Sequence, residues 1–225
     1  MMNIDFPIVL GSRSPRRREL LAQLLPQGET QIEVLPPSSS DEAGFEELHD
    51  WEKIAMRLQA IARTKLDDVW KQLRDREQKE LPTPVVITAD TVIVAADSVD
   101  DAVQTVLGQP PQENWQDTVR DWFQRLLIGR THQAATAFCV SDGQRTVERI
   151  VQSEVTFHDL SDEWIEWYLQ TGEPIGKAGG YAIQGGGSVF VSEVKGSISN
   201  VVGLPQKEVL ETLTDFASGR ANSRG

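Results

Sequence analysis

Short β-rich apolar runs alternate with amphipathic helical stretches along this chain, and that interleaving restricts the fold to a sheet covered by helices, an α/β architecture. Residues 6–10 form an apolar run that ends in Gly11-Ser12, as a buried strand ends in a turn. Ser14 then suits an N-cap and Pro15 the first helical position, ahead of a stripe of Leu20, Leu21, Leu24 and Leu25. A strand is expected at 31–35, a Pro/Ser-rich loop at 36–44, and a long helix whose apolar positions run from Trp51 through Ile54, Leu58, Ile61, Ala62 and Leu66 to Leu73. Two β-rich runs, 85–87 and 92–95, are read as interrupted by Ala89-Asp90-Thr91, with an acidic surface loop at 97–105. A helix from Trp115 to Leu126, strands at 132–140 and 147–157, a short helix capped by Ser161, a glycine-rich segment at 176–188 and a strand at 189–194 follow. A final helix from Pro205 completes one domain over 1–217, with a flexible tail at 218–225.

Bulk properties exclude several function classes. At 225 residues, with 39% hydrophobic and 25% charged residues, the chain can bury a full core. A net charge of −12 opposes extended contact with a nucleic-acid backbone, although a local basic pocket can still take a small anion. No apolar run approaches the roughly 18 residues of a membrane span, and the first residues lack the basic start of a signal peptide, so a cytoplasmic protein is expected. Cys139 is the single cysteine and reads as a small core residue, not a zinc ligand.

Four constellations can carry chemistry. Arg16, Arg17 and Arg18 fall in the first turn of a helix, where cations oppose the macrodipole by about 0.3–1 kcal/mol each unless an anion sits at the free N–H groups. Arg17 projects along the apolar stripe, so it binds phosphate, pairs with a structural carboxylate or snorkels. Lys65 lies on the apolar face of the long helix and needs compensation or an escape to the helix edge. Asp90 stands between two strand-forming runs, with Asp41 and Glu42 in an earlier loop; it can bind metal, take a proton from water or cap a turn. The segment Gly176-Lys177-Ala178-Gly179-Gly180-Tyr181-Ala182-Ile183-Gln184-Gly185 permits close backbone approach and offers the Gln184 amide to a base, or serves as a connector. The Gly-x-x-x-x-Gly-Lys-Ser/Thr loop of common ATPases is absent.

These blocks, in this order, resemble the Maf family along nearly the whole chain: residues 10–21, Asp41-Glu42, residues 61–65, residues 89–92, residues 176–185 and residues 200–205. The resemblance implies a two-lobed mixed-sheet fold similar to that of inosine-triphosphate pyrophosphatases, with a cleft between the lobes and often a homodimer. It implies hydrolysis of a nucleoside triphosphate to monophosphate and pyrophosphate, with a divalent cation, Mg²⁺ or Mn²⁺, as cofactor. By that likeness Asp90 is the proton acceptor, assisted by Glu42 and Lys65, with Glu42 and Asp90 at the metal. Ser12, Arg16, Arg17 and Lys177 surround the phosphates, and Arg17, Thr91 and Gln184 resemble the set of family members that act on dTTP and UTP. One departure stands out: many members have Gly-Lys-Pro where this chain has Gly108-Gln109-Pro110. Loss of that lysine motivates an alternative, a catalytically weak nucleotide-binding regulator of cell division.

Overall fold

A computed structural model describes residues 4–25, 32–39, 44–76, 83–96 and 103–222. Among them, strands β1 (Ile8–Leu10), β2 (Ile32–Val34), β3 (Val85–Ala96), β4 (Gln104–Leu107), β5 (Thr131–Ser141), β6 (Thr146–Phe157) and β7 (Val191–Lys195) form one sheet. Its order is β2-β1-β3-β5-β6-β7, with β4 also paired to β3. β1 is parallel to both neighbours, whereas β3, β5, β6 and β7 run antiparallel in succession. The expected α/β class is therefore a mixed sheet.

Two expectations about the middle of the chain are corrected. Ala89-Asp90-Thr91 does not interrupt two strands but lies inside β3, because β5 pairs with it without a break from Val86↔Ser141 to Val94↔Gln133. Gln104 and Thr105, expected in an acidic loop, belong to β4, whose ladder with β3 runs from Ala96↔Gln104 to Ile93↔Leu107. Cross-strand pairing overrides local polarity in both places, since a backbone donor and acceptor satisfied by a ladder tolerate a polar side chain at the surface of a cleft.

The helices are α1 (Pro15–Ala22), α2 (Trp51–Arg74), α3 (Trp115–Trp122), α4 (Asp162–Gln170), α5 (Ile198–Val202) and α6 (Gln206–Asn222); α3 continues into a π turn, Phe123–Leu127. α6 carries helical backbone into the segment expected as a tail. Local sequence explains the helix starts. The Ser14 Oγ accepts from the Arg17 N–H ahead of Pro15, and the Asp50 carboxylate accepts from the Lys53 N–H. In α2 the buried residues Ile54, Leu58, Ile61, Ala62, Leu66 and Val69 recur at helical spacing, and tertiary burial holds so polar a helix in place.

Alternation along β3 divides its side chains between two faces. Val86, Val92 and Val94 pack with Ala135, Ala137 and Cys139 beneath α2. On the opposite face two cores lie end to end. Val85, Ile87, Ala89, Phe138 and Val140 join α1 and α6 in one, and Ile93, Ala95 and Ala134 join α3 and α4 in the other. Thr91 and its register partner Thr136 fall between these two cores. Cys139 is fully buried and its thiol is pushed up to about 12 by burial, in keeping with a core role.

Candidate active site

β3 changes partner along one edge. β1 pairs with Val85–Ile87 and β4 with Ile93–Ala96, and among the described residues no strand covers that edge from 88 to 92. Both neighbouring strands end at this gap: β1 delivers Gly11-Ser12 and the start of α1, and β4 delivers Gly108-Gln109. Gly11 donates its N–H to the Ile87 carbonyl at 2.8 Å, and a Cβ there would lie 2.6 Å from Thr88 Cγ2 and 2.8 Å from Val69 Cγ2. Only a residue without a side chain brings the turn this close to β3. The result is a cleft of about 1020 Å³ that reaches both sides of the strand.

Every expected site residue within the described segments lines this cleft: Ser12, Arg16, Arg17, Lys65, Asp90, Thr91, Lys177 and Gln184. Glu42 lies outside the described residues. Lys65 is compensated and does not escape to the helix edge. Its Nζ donates to Asp90 Oδ1 at 2.6 Å, with both side chains 14% exposed. A charge-assisted bond this short orients the carboxylate. Asp90 Oδ2 accepts no hydrogen bond from the described residues, so a lone-pair face is directed to the cleft.

Thr91 is held quite differently. Arg17 donates from Nε to the Gly203 carbonyl at 2.8 Å, from one terminal nitrogen to Ser12 Oγ at 3.3 Å and from the other to Thr91 Oγ1 at 3.0 Å. Thr136 Oγ1 lies 3.2 Å from the Asn200 carbonyl and 2.9 Å from Thr91 Oγ1, and when Thr136 donates to that carbonyl the bond between the threonines uses the proton of Thr91. The alternative acceptor for that proton, the Gly203 carbonyl, is at 3.5 Å. Arg17, Thr91, Thr136 and Asn200 thus form a continuous hydrogen-bonded chain in which each bond polarises the next. Asn200 is anchored in turn through its Nδ2, which donates to the Ala134 carbonyl and to Ser153 Oγ.

Arg16 and Lys177 add two cations to the cleft beside Arg13, Arg17 and Lys65. Burial holds the Arg16 guanidinium below its ordinary value, offset first by Glu173; burial and then the charge of Arg16 lower Lys177, which Glu173 also offsets. Two cations that disfavour each other gain from an incoming anion. Lys177 sits at the head of a turn in which Gly179 and Gly180 have φ of +66° and +70°. Side chains there would also collide, with Ile93 and Val119 respectively. Gly179 donates to the Gly108 carbonyl at 3.0 Å, which ties this turn to the end of β4 and brings Gln109 to the same cleft. Tyr181 closes the turn: its hydroxyl meets buried His132 Nε2 at 2.9 Å, and burial pushes that imidazole down to about 3, so it stays neutral.

The profile of the Maf-like protein family matches residues 7–216. The chain belongs to the Maf family. A protein of Aromatoleum aromaticum named dTTP/UTP pyrophosphatase is 36% identical over 216 residues, covering 96% of this chain and 98% of the relative. Relatives of the same name from Shewanella denitrificans and Pyrococcus horikoshii are 38% and 31% identical, covering 89% and 91% of this chain and 91% and 94% of their own lengths.

Sequence reasoning missed several residues that this Maf-family cleft depends on. Thr136 is fully buried, and a lone hydroxyl within the apolar run 134–140 was the available signal. Tyr168 and Glu173 support the glycine segment from α4 and the turn after it; only proximity to Pro174 and the glycines pointed to them. His132 gave no signal, because its partner Tyr181 lies 49 residues away. No helix among the described residues is long and apolar enough to cross a membrane.

Proposed function

We propose that this Maf-family chain hydrolyses dTTP and UTP between the α- and β-phosphates, giving the nucleoside monophosphate and pyrophosphate. The observation that carries the reading is Asp90, oriented by Lys65 and opening onto a cleft whose walls also bear Arg16 and Lys177. The names of the relatives support this substrate pair, and they support turnover over the regulatory alternative.

In this mechanism Arg16 and Lys177 bind the triphosphate beside the start of α1, where their charge offsets that of the transition state. Water attacks the α-phosphorus as the bond to the bridging oxygen breaks, and pyrophosphate leaves with the electron pair. Asp90 accepts the proton of that water at the lone pairs Lys65 leaves open. Ser12 Oγ already accepts from Ser14 N–H and Arg17, so its own proton is the part of it that can reach a phosphate oxygen. Arg17 and Thr91, bonded to each other, shape the wall beside the nucleotide, and Gln184 meets the base.

The donor set fits a divalent cation carried in with the nucleotide. Asp90 supplies a hard carboxylate oxygen, and among the described residues no group of three His, Cys, Asp or Glu side chains forms a closed metal cage. Mg²⁺ commonly binds through one or two carboxylates with phosphate oxygens and water completing the shell. Asp90 and Glu42 would hold it, and when bound it neutralises charge on the phosphate oxygens.

The test is turnover of dTTP, UTP, CTP and GTP with Mg²⁺ or Mn²⁺ in ¹⁸O-labelled water. Pyrophosphate and a monophosphate carrying the label are expected, with dTTP and UTP fastest. Release of phosphate and a nucleoside diphosphate would overturn the bond assignment, and binding without turnover would favour the regulator.

A further inference from the structure

Gln184 is exposed and stands at the third position of a tight turn, closed by a hydrogen bond from the Gly185 N–H to the Ala182 carbonyl at 3.1 Å. A turn at a surface does not by itself fix an amide well enough to discriminate between bases. Here the flanks of the turn are fastened to the C-terminal end of α4 and to the turn that follows it. On one side the Ala182 N–H donates to the Tyr168 hydroxyl at 3.2 Å. On the other the Gly187 N–H donates to Glu173 Oε2 at 3.1 Å.

Packing reinforces both attachments. A Cβ on Gly185 would collide with the Glu173 carboxylate, and one on Gly187 would lie 2.8 Å from the Ala182 nitrogen and carbonyl oxygen and 3.0 Å from the Tyr168 hydroxyl. Glu173 is set in place in turn: its N–H donates to Thr171 Oγ1, whose proton goes to the Tyr168 carbonyl at 2.6 Å. Tyr168 is fully buried, with its ring against Phe123 and Phe190. The clasp therefore roots in a core and reaches outward to a single exposed amide.

We propose that Glu173 and Tyr168 are positioning residues that set the place of Gln184 and through it the selectivity of the cleft for one pyrimidine edge over another. This rests on the function proposed above, with Gln184 at the base. Uracil and thymine present an acceptor at O4 beside an N3–H donor; cytosine presents the reverse pair. An amide whose backbone is held in place meets one pair directly and must turn over to meet the other, which is the source of the discrimination. Glu173 has a second, separable effect, since its charge also faces Arg16 and Lys177.

The two effects are separated by comparing Glu173→Gln, which keeps an acceptor for Gly187 and removes the charge, with Glu173→Ala, which removes both. Tyr168→Phe keeps the packed ring and removes the acceptor for Ala182. The reading is the ratio of kcat/KM for UTP to that for CTP, with thermal unfolding followed for each variant. Glu173→Ala and Tyr168→Phe are each expected to lower the ratio about tenfold, the size of one lost hydrogen-bonded discrimination. Glu173→Gln is expected to keep the ratio within about twofold while changing KM for both nucleotides alike.

An unchanged ratio in Glu173→Ala, or an equal collapse in Glu173→Gln, overturns the clasp. If Glu173→Ala does not fold, Tyr168→Phe decides in the same way. Failure of the wild-type protein to release pyrophosphate from any nucleotide would sink the proposed function instead. The clasp is then judged by the affinities of α,β-methylene analogues of UTP and CTP, in which the same variants must lower the binding ratio.

Discussion

Asp90 and Thr91 are neighbours in β3 and lie on opposite faces of the sheet. Among the described residues the Asp90 side chain is held by Lys65 from α2. Thr91 belongs to a chain of four groups from α1, β3, β5 and α5, wedged between two apolar cores. The difference separates reactivity from placement. A base needs open lone pairs and one orienting partner, whereas a wall that recognises a substrate gains from every rotor being fixed. If that division holds, substitutions on the α2 face should act on kcat, and those in the seam on KM or on stability.

The largest effect is expected from Asp90→Asn. Replacing the proton acceptor by an amide should lower kcat by about 10³-fold, within the range of general-base catalysis, with KM nearly constant. Single-turnover measurement with UTP checks this, and a fall in affinity without loss of kcat would break the comparison. Lys65→Met should follow at about 10²-fold in kcat, because the carboxylate loses the bond that aims it. Loss of one partner of a half-enclosed ion pair should also lower Tm.

A pH profile sharpens the comparison from the phosphate side. Lys177 must be protonated to bind phosphate; burial and neighbouring Arg16 lower its pKa, and Glu173 opposes them. Its charge is lost as pH rises through that lowered value, so kcat/KM should fall on the alkaline side below the ordinary lysine range. Lys177→Arg should move this limb to higher pH, and an identical limb in both proteins would assign it elsewhere.

Thr136→Val keeps the shape of the seam and removes its central hydroxyl. It should cost about 1–2 kcal/mol of stability, read by denaturant unfolding, and raise KM a few-fold with kcat preserved. Thr136→Ser should restore both. The smallest effect belongs to Gln109→Lys, which exchanges a neutral for a charged donor at the cleft. A gain of about 1 kcal/mol, or roughly fivefold in KM, is expected, and no change would show that Gln109 does not reach the phosphates.

Much of the site's chemistry was legible in the sequence because it depends on local rules. Ser14-Pro15 announced the start of α1, and the spacing of Ile61, Ala62 and Lys65 placed a lysine on the buried face of α2. What could not be read depended on contacts between distant segments. Arg17 was open to phosphate binding, to pairing with a structural carboxylate or to snorkelling; among the described residues its shortest hydrogen bond goes to the carbonyl of Gly203, 186 residues away. Asp90 looked like a break between strands because a carboxylate interrupts the apolar pattern; the ladder with β5 carries the strand through it. Among the described residues the gap in the near edge of β3 has no sequence signature at all, since it exists only where β1 and β4 both stop.

The register of β3 against β5 gives the strand something like a reading frame. Because successive side chains alternate faces, a slip of one residue would turn Asp90 into the apolar core at the place of Ala89 and present Thr91 to Lys65. Every motif would survive such a slip letter for letter, and the reaction would lose its base. Deleting one residue from β3 ahead of Asp90 would therefore be a frameshift in three dimensions, leaving the motifs downstream intact and decisive for the chemistry.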